Sequence, residues 1–176
     1  ENSKATTHPA LIMLHGRGAD EEDLLGLSPA LDDRLLILSV RAPFQFPDAG
    51  GYTWYDVGNV GTPEPGMFRE SYDKLLTFLQ DALKHYPIDP GQVYLLGFSM
   101  GTVMCYALAL TRPRLFRGVV ANSGYLPLDT HLTLLWQELA GLEFFISHGT
   151  QDPVIPVAFA RRSKDLFEQA NARYTY

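Results

Sequence analysis

The stretch VYLLGFSMG, Val93 to Gly101, decides which fold this sequence predicts. An apolar run leads into Ser99, which has a glycine two residues before it and another two residues after it, and a helical pattern follows at once. Glycines at these positions let the backbone turn sharply from a strand into a helix without side-chain clashes. The pattern G-x-S-x-G therefore predicts that Ser99 is a nucleophile exposed at the end of a strand; the alternative is an ordinary strand-to-helix turn.

The rest of the chain also alternates short apolar runs with helix-spaced patterns. Five runs have the length and the β-branched or aromatic content of buried strands, and a sixth could open at the end: Ala10–Leu14, Leu35–Val40, Val93–Phe98, Gly118–Asn122, Leu142–Ser147 and Ala172–Tyr176. Three segments are predicted helices: Glu70–Tyr86, Met100–Leu110 and Val157–Ala170. This alternation predicts a mainly parallel, doubly wound α/β sheet with helices on both faces, in a single domain over residues 1–176.

The segment Arg41–Phe68 does not fit the alternation. It is rich in proline and glycine, has no clear helix or strand pattern, and yet carries six aromatic residues: Phe44, Phe46, Tyr52, Trp54, Tyr55 and Phe68. So many aromatic rings argue against disorder. Two interpretations stay open, namely that the rings complete the edge of the core or that they form the wall of a substrate pocket.

Composition limits the classes of function. The 176 residues carry a net charge of −6 and no block of lysine or arginine, which argues against a nucleic-acid or polybasic membrane surface and favours a small-molecule partner. No run of about 18 apolar residues is present, so we expect no stable membrane insertion and a cytoplasmic location. The single cysteine, Cys105, lies in CYALAL and is expected to be a small buried hydrophobe.

A nucleophilic serine needs donors for the oxyanion and a base that an acid orients. The backbone N–H of Met100, at the start of a helix, is one candidate donor, and that of Arg17 in the glycine-rich loop LHGRG is another. His15 in that loop is expected to be a structural hydrogen-bonding residue. In the order serine, acid, histidine, the acid is predicted at Asp152, in the turn HGTQDPVIP; the alternative is an aspartate that only shapes the turn.

The histidine is the missing member of this set. The chain has five histidines, and none of them follows Asp152. His131 lies between the serine and the acid, and His148 precedes the acid, so either would need a rearranged topology to act as the base. The residues alone therefore leave the base unassigned.

Five blocks of sequence resemble one known family in content and in order. They run nearly end to end: LIMLHGRGADEEDLLGL (11–27), SVRAPFQFPDAGGYTWYD (39–56), VYLLGFSMG (93–101), VVANSGYLP (119–127) and HGTQDPVIP (148–156). The chain is similar to the phospholipase/carboxylesterase family of α/β-hydrolases, which includes acyl-protein thioesterases and small bacterial carboxylesterases. The resemblance implies Ser99 as the nucleophile, Asp152 as the triad acid, and the N–H groups of Arg17 and Met100 as the oxyanion hole.

The resemblance also implies a pocket and two departures. Trp54 would line the acyl or alcohol pocket, together with the loop that carries Phe44 and Phe46. The family often has Gln-Gly-Gly after the serine; Met100 stands there in this chain and brings an apolar side chain near the site. Family members carry the triad histidine after a further strand, whose beginning ARYTY resembles, so we expect the base, and the closing strand, loop and helix, to lie beyond Tyr176.

The expected function is that of a serine carboxylesterase. It would hydrolyse carboxylic esters, or thioesters, of small to medium acyl groups through an acyl-enzyme, with no metal and no organic cofactor. A homodimer could form through apolar surface or an open sheet edge. Two alternatives stay open: a non-catalytic or inactive hydrolase-fold binding module, and a dienelactone-hydrolase-like or peptidase activity on the same fold.

Overall fold

The fold is a central sheet with flanking helices, seen in a computed structural model that describes residues 7–47 and 50–176. Its strands are β1 (His8–Leu14), β2 (Leu36–Val40), β3 (Phe44–Phe46), β4 (Gly51–Thr53), β5 (Val57–Asn59), β6 (Thr62–Pro63), β7 (Ile88–Phe98), β8 (Gly118–Asn122), β9 (Glu143–Ser147) and β10 (Arg173–Thr175). Its α-helices are α1 (Pro65–His85), α2 (Met100–Thr111) and α3 (Ala158–Gln169). Three 3₁₀ helices cover Asp23–Ala30, Pro113–Leu115 and Trp136–Glu138.

Six strands form the main sheet, in the order β10-β9-β8-β7-β1-β2. Every neighbouring pair in it is parallel, which confirms the predicted parallel α/β architecture. The strand order reverses at β1, because β2 lies on one side of β1 and the later strands extend from the other side. The loops after β1 and β7 therefore leave a crevice at the carboxyl edge of the sheet, where open α/β sheets bind their ligands.

The two faces of the sheet are covered unequally. Alternate strand residues such as Ile12, Leu95 and Val119 point into the large core cluster that contains the buried sides of all three α-helices. On the opposite face the 3₁₀ helix Asp23–Ala30 places Leu24 in a smaller cluster with strand residues of β1 and β7. All three predicted helices therefore lie on one face, and in the described residues the other face carries a 3₁₀ helix that the sequence analysis did not predict.

Helix α2 is the centre of the large core, since every one of its residues is buried. Cys105 lies within it, fully buried as expected, and burial raises the pKa of its thiol. The chain can place this helix in the core because it is apolar on all sides. None of the helices described is long and apolar enough to cross a membrane.

The segment Arg41–Phe68 is more regular than the sequence indicated. It contains two small antiparallel hairpins, β3–β4 and β5–β6, and the start of α1. Strands of two or three residues are too short to show an alternating pattern, which is why the sequence analysis did not predict these hairpins. Asp48 and Ala49, at the tip of the first hairpin, lie outside the described residues.

The remaining boundaries agree with the predictions to within two residues, apart from two early starts. Helix α1 begins at Pro65 rather than Glu70, because proline suits the first position of a helix and the Glu64 carboxylate caps the amides of Gly66 and Met67. Strand β7 begins at Ile88 rather than Val93, across the sequence Asp-Pro-Gly.

Close approach of α2 to β1 sets the geometry at the crevice. A Cβ atom on Gly101 would overlap the carbonyl oxygen of Leu14, the last residue of β1. A Cβ on Gly97 would lie 2.5 Å from the amide nitrogen of Thr102 in the first turn of α2. Both glycines of the G-x-S-x-G pattern are therefore required by backbone packing around Ser99.

We expect Gly101→Ala to lower the free energy of unfolding by about 2 kcal/mol or more, because backbone atoms of β1 and α2 would have to separate to admit the methyl group. Urea unfolding measures this loss. Gly26→Ala is the matched control, since a Cβ there meets nothing within 4 Å, and its change should stay within about 0.5 kcal/mol. Equal midpoints for the two variants would contradict the packing argument.

Candidate active site

Ser99 lies at the turn between β7 and α2 with an unusual backbone. Its φ of 53° and ψ of −117° fall in a region that residues with side chains rarely adopt. Three hydrogen bonds hold this conformation: Ser99 N donates to Asn122 O at 3.0 Å, and Ser99 O accepts from the amides of Thr102 and Val103 at 3.0 and 3.3 Å. The turn predicted from the sequence is thus present and is braced against the end of β8.

Met100 follows Ser99 and opens α2. Its backbone N–H, in the first turn of the helix, donates to no described residue. Its side chain is buried, and the Thr53 hydroxyl donates to its sulfur at 3.4 Å. The apolar side chain that the sequence placed near the site is therefore packed inward, while the amide remains available.

The loop after β1 brings Arg17 to the same place. Its backbone N–H likewise has no acceptor in the part of the chain described, whereas the neighbouring Gly18 N donates to Tyr52 O at 2.8 Å. Tyr52 N in turn donates to Ala19 O at 2.8 Å. The Arg17 guanidinium lies 4.3 Å from the centre of the Phe46 ring. The β3–β4 hairpin therefore supports this loop from outside.

His15 is a structural residue of this loop, as expected. Its Nε2 accepts from Ala42 N at 3.0 Å, so the proton resides on Nδ1, which donates to Gly16 O at 2.6 Å. The ring is almost completely buried, and burial lowers the pKa of the imidazole. A neutral ring with both nitrogens engaged fixes the loop and leaves no nitrogen to take a proton from Ser99.

The three aromatic residues expected in the pocket are located elsewhere. Trp54 is 1% exposed, and its indole Nε1 donates to His15 O at 2.8 Å, which ties the loop after β1 into the core. The Arg17 guanidinium lies over the Phe46 ring, and the Lys74 ammonium lies 5.8 Å from the centre of the Phe44 ring. None of the three lines the cleft at Ser99. Trp54 is instead part of the core, and the half-buried Phe44 and Phe46 contact cationic side chains outside the cleft.

Asp152 lies in the turn after β9, where backbone amides hold its carboxylate. Its Oδ1 accepts from Val154 N at 2.8 Å and from Ile155 N at 2.9 Å. These two bonds, with a smaller contribution from nearby His148, lower the pKa of the Asp152 carboxyl. Its Oδ2 has no backbone donor among the residues described, and His148 Nε2 lies 3.4 Å from it, so this oxygen can still accept a short hydrogen bond from an incoming group.

A cleft of about 490 Å³ brings these elements together. Ser99, Arg17 and Asp152 line it, as the sequence predicted for a shared site. Further lining residues that the sequence did not indicate are Asp23, Phe98, Ser123, Val154 and Ile155. The cleft thus joins Ser99, the Arg17 loop and the Asp152 carboxylate at the carboxyl edge of the sheet, whereas Met100, which directly follows Ser99, is not among its lining residues.

A signal for some of these missed residues was present in the sequence. Ser123 directly follows β8, so a polar residue at the end of the strand beside β7 could have been expected in the cleft. Phe98 and Val154 are 44% and 68% exposed, respectively, and form apolar parts of the cleft wall. Only the fold shows that these two apolar side chains remain outside the core.

In residues 7–47 and 50–176, no group of three or more His, Cys, Asp or Glu side chains could hold a metal ion. No imidazole in the same ranges forms a hydrogen bond with Ser99.

Comparison with known proteins identifies the family. The sequence profile described as Phospholipase/Carboxylesterase matches residues 1–176. The chain belongs to this family. It is therefore an esterase-class hydrolase with an α/β-hydrolase fold, in agreement with the resemblance drawn from the sequence.

Individual relatives support this assignment. The chain is 26% identical to acyl-protein thioesterase 1 of Candida albicans over 179 residues, which cover 91% of this chain and 77% of that protein. It is 27% identical to acyl-protein thioesterase 1 of Debaryomyces hansenii, and the match covers 94% of this chain and 80% of that protein. A solved structure, the Bacillus cereus carboxylesterase, superposes with a TM-score of 0.84 at 30% identity, covering 99% of this chain and 80% of that one.

Asp152→Asn tests the electrostatics of the site. Because the pKa of the folded carboxyl lies below the unfolded value of about 3.9, its contribution to stability is present above that pH and is lost as the pH falls through the folded pKa. We expect the wild type to exceed the variant in free energy of unfolding near pH 7, and the difference to narrow below about pH 4.

Urea unfolding of both proteins from about pH 7 to pH 3 measures this difference. Ser99→Ala is the control, because it alters the same cleft without removing a carboxyl group, and its difference from the wild type should not depend on pH. A constant difference between wild type and Asp152→Asn over the whole range would contradict the assigned pKa shift.

Proposed function

We propose that the protein hydrolyses carboxylic esters and thioesters of small to medium acyl groups through an acyl-enzyme on Ser99. The observation that carries this proposal is the Ser99 turn, in which a strained serine is followed by an amide with no acceptor in the described chain. The amide of Arg17, a residue that lines the same cleft, is the second proposed donor. Two such amides suit the charge that develops on a carbonyl oxygen during attack.

The proposed reaction proceeds in two halves. The Ser99 Oγ attacks the acyl carbon, its proton passes to a base, and the alcohol or thiol leaves after taking that proton. Water then attacks the acyl-enzyme, so the carboxylic acid is released and the Ser99 hydroxyl is restored. The Arg17 and Met100 amides hold the oxyanion in both halves.

The base in this mechanism is a histidine oriented by Asp152. No histidine follows Asp152 in the sequence, and His15 is committed to its loop. Within the described residues, no imidazole forms a hydrogen bond with Ser99, so we assign the base to none of them. The free Oδ2 of Asp152 suits an imidazole N–H, because Oδ1 already accepts two backbone bonds.

The substrate class follows from the cleft and from the relatives. Phe98 and Val154 give the cleft an apolar wall that suits an acyl chain. The relatives from Candida albicans and Debaryomyces hansenii are named acyl-protein thioesterases, and the Bacillus cereus neighbour is named a carboxylesterase. Both oxygen esters and thioesters are therefore included in the proposal.

The first test is intact mass before and after treatment with a fluorophosphonate. Attack by Ser99 Oγ on phosphorus expels fluoride and passes the serine proton to the base, so the mass should rise by one phosphonyl group. We expect one adduct on the wild type and none on Ser99→Ala.

Ser123→Ala is the matched control, because Ser123 is a second serine in the same cleft, and this variant should still form the adduct. The absence of any adduct on the wild-type protein would contradict the proposal and favour the non-catalytic binding module. Comparison of an ester, its thioester and its amide then separates esterase from peptidase activity.

Val154→Ala should change acyl-chain preference. The substitution removes about two methylene-sized groups from the wall, so we expect kcat/KM for octanoyl esters to fall about two- to fivefold relative to acetyl esters. A p-nitrophenyl ester series measures this ratio. Val60→Ala is the control, because Val60 is also partly exposed but does not line the cleft. If the octanoyl-to-acetyl ratio of kcat/KM is unchanged in Val154→Ala, Val154 does not contact the acyl chain.

A further inference from the structure

We infer that His148 is a positioning residue that holds the Asp152 carboxylate in place through Ile155. This inference rests on the proposed function, because it assigns His148 a role in orienting the proposed triad acid. His148 follows β9 directly, and its side chain is fully buried beside the turn that carries Asp152. It does not line the cleft, so it acts through other residues rather than on the substrate.

The His148 ring closes the turn by one strong hydrogen bond. Its Nε2 lies 2.7 Å from Ile155 O, and a carbonyl oxygen can only accept, so Nε2 carries the proton and donates. Ile155 N donates in the other direction, to Asp152 Oδ1 at 2.9 Å. Ile155 is thus held at its carbonyl by His148 and itself holds the carboxylate with its amide. Movement of the imidazole would move the acid.

The same ring also faces the free oxygen of the acid. The distance from His148 Nε2 to Asp152 Oδ2 is 3.4 Å, longer than its bond to Ile155 O. The Nε2 proton is therefore donated mainly to the Ile155 carbonyl, so Asp152 Oδ2 remains available to accept from the base. Because Oδ1 takes two amide bonds, the rotation of the carboxylate is fixed with Oδ2 as the accepting atom.

The other ring nitrogen argues against a purely packing role. His148 Nδ1 is buried and has no hydrogen-bond partner in residues 7–47 and 50–176. An unpartnered buried acceptor destabilises a fold, and a leucine would fill this space without one. The Nε2 donor is therefore the property of histidine that this position uses.

The test compares His148→Leu, His148→Asn and His148→Gln in steady-state ester hydrolysis and in thermal unfolding. The amide nitrogen of glutamine can reach the position of Nε2, whereas that of asparagine is too short and leucine has no donor. We expect His148→Leu and His148→Asn to lower kcat by about ten- to a hundredfold with KM within about twofold of the wild type. His148→Gln should recover most of that loss.

A double-mutant cycle separates positioning from general damage. If His148 acts through the acid, adding His148→Leu to Asp152→Asn should lower kcat by less than about threefold more, because the group being positioned has already been altered. If His148→Leu does not fold, the pair His148→Asn and His148→Gln gives the same comparison with polar side chains.

The outcomes distinguish this inference from the proposed function. A wild-type protein without Ser99-dependent hydrolysis overturns the proposed function. An active wild type overturns the inference on His148 if the leucine and asparagine variants keep their kcat, or if glutamine recovers no more of it than asparagine does. The inference is also overturned if His148→Leu lowers kcat as much in the Asp152→Asn variant as it does in the wild type.

Discussion

The close approach of α2 to the end of β1 is the constraint on which the site depends. Gly101 meets the Leu14 carbonyl with no room for a side chain, and Gly97 meets the first turn of α2 in the same way. These contacts place Ser99 beside the loop that follows β1. The strained backbone of Ser99 persists because packing on both sides leaves the turn no other conformation.

From this point, hydrogen bonds connect the ends of successive strands. The carbonyl of Asn122, at the end of β8, accepts from the Ser99 amide and from the Thr102 hydroxyl. The Asn122 side chain accepts from Ser147 Oγ at 2.5 Å, at the end of β9, where the Asp152 turn begins. Polar contacts therefore connect Ser99 to the end of β9, the strand that leads into the turn of the proposed acid, and they restrict how these strand ends move relative to each other.

The proposed oxyanion donors are backbone amides, and side chains outside the cleft hold the loop that carries one of them in position. His15 and Trp54 fix the loop that carries the Arg17 amide, and the Ser71 hydroxyl in turn donates to the Trp54 carbonyl at 2.5 Å. The segment between β2 and α1, with its two short hairpins, thus supports the loop that carries the proposed oxyanion donor. Such support matters because an oxyanion donor contributes only when it is oriented in advance.

The sequence by itself determined the order of the six main-sheet strands and the three α-helices, the Ser99 turn and the Asp152 turn, because each depends on local spacing of glycine, proline and apolar residues. Only the tertiary structure decided which apolar side chains reach the cleft. Trp54 is buried against His15 while Val154 is exposed beside Ser99, and neither outcome has a local pattern, since burial depends on contacts between segments distant in sequence. The contact between His148 and Ile155 likewise becomes visible only once the turn has closed.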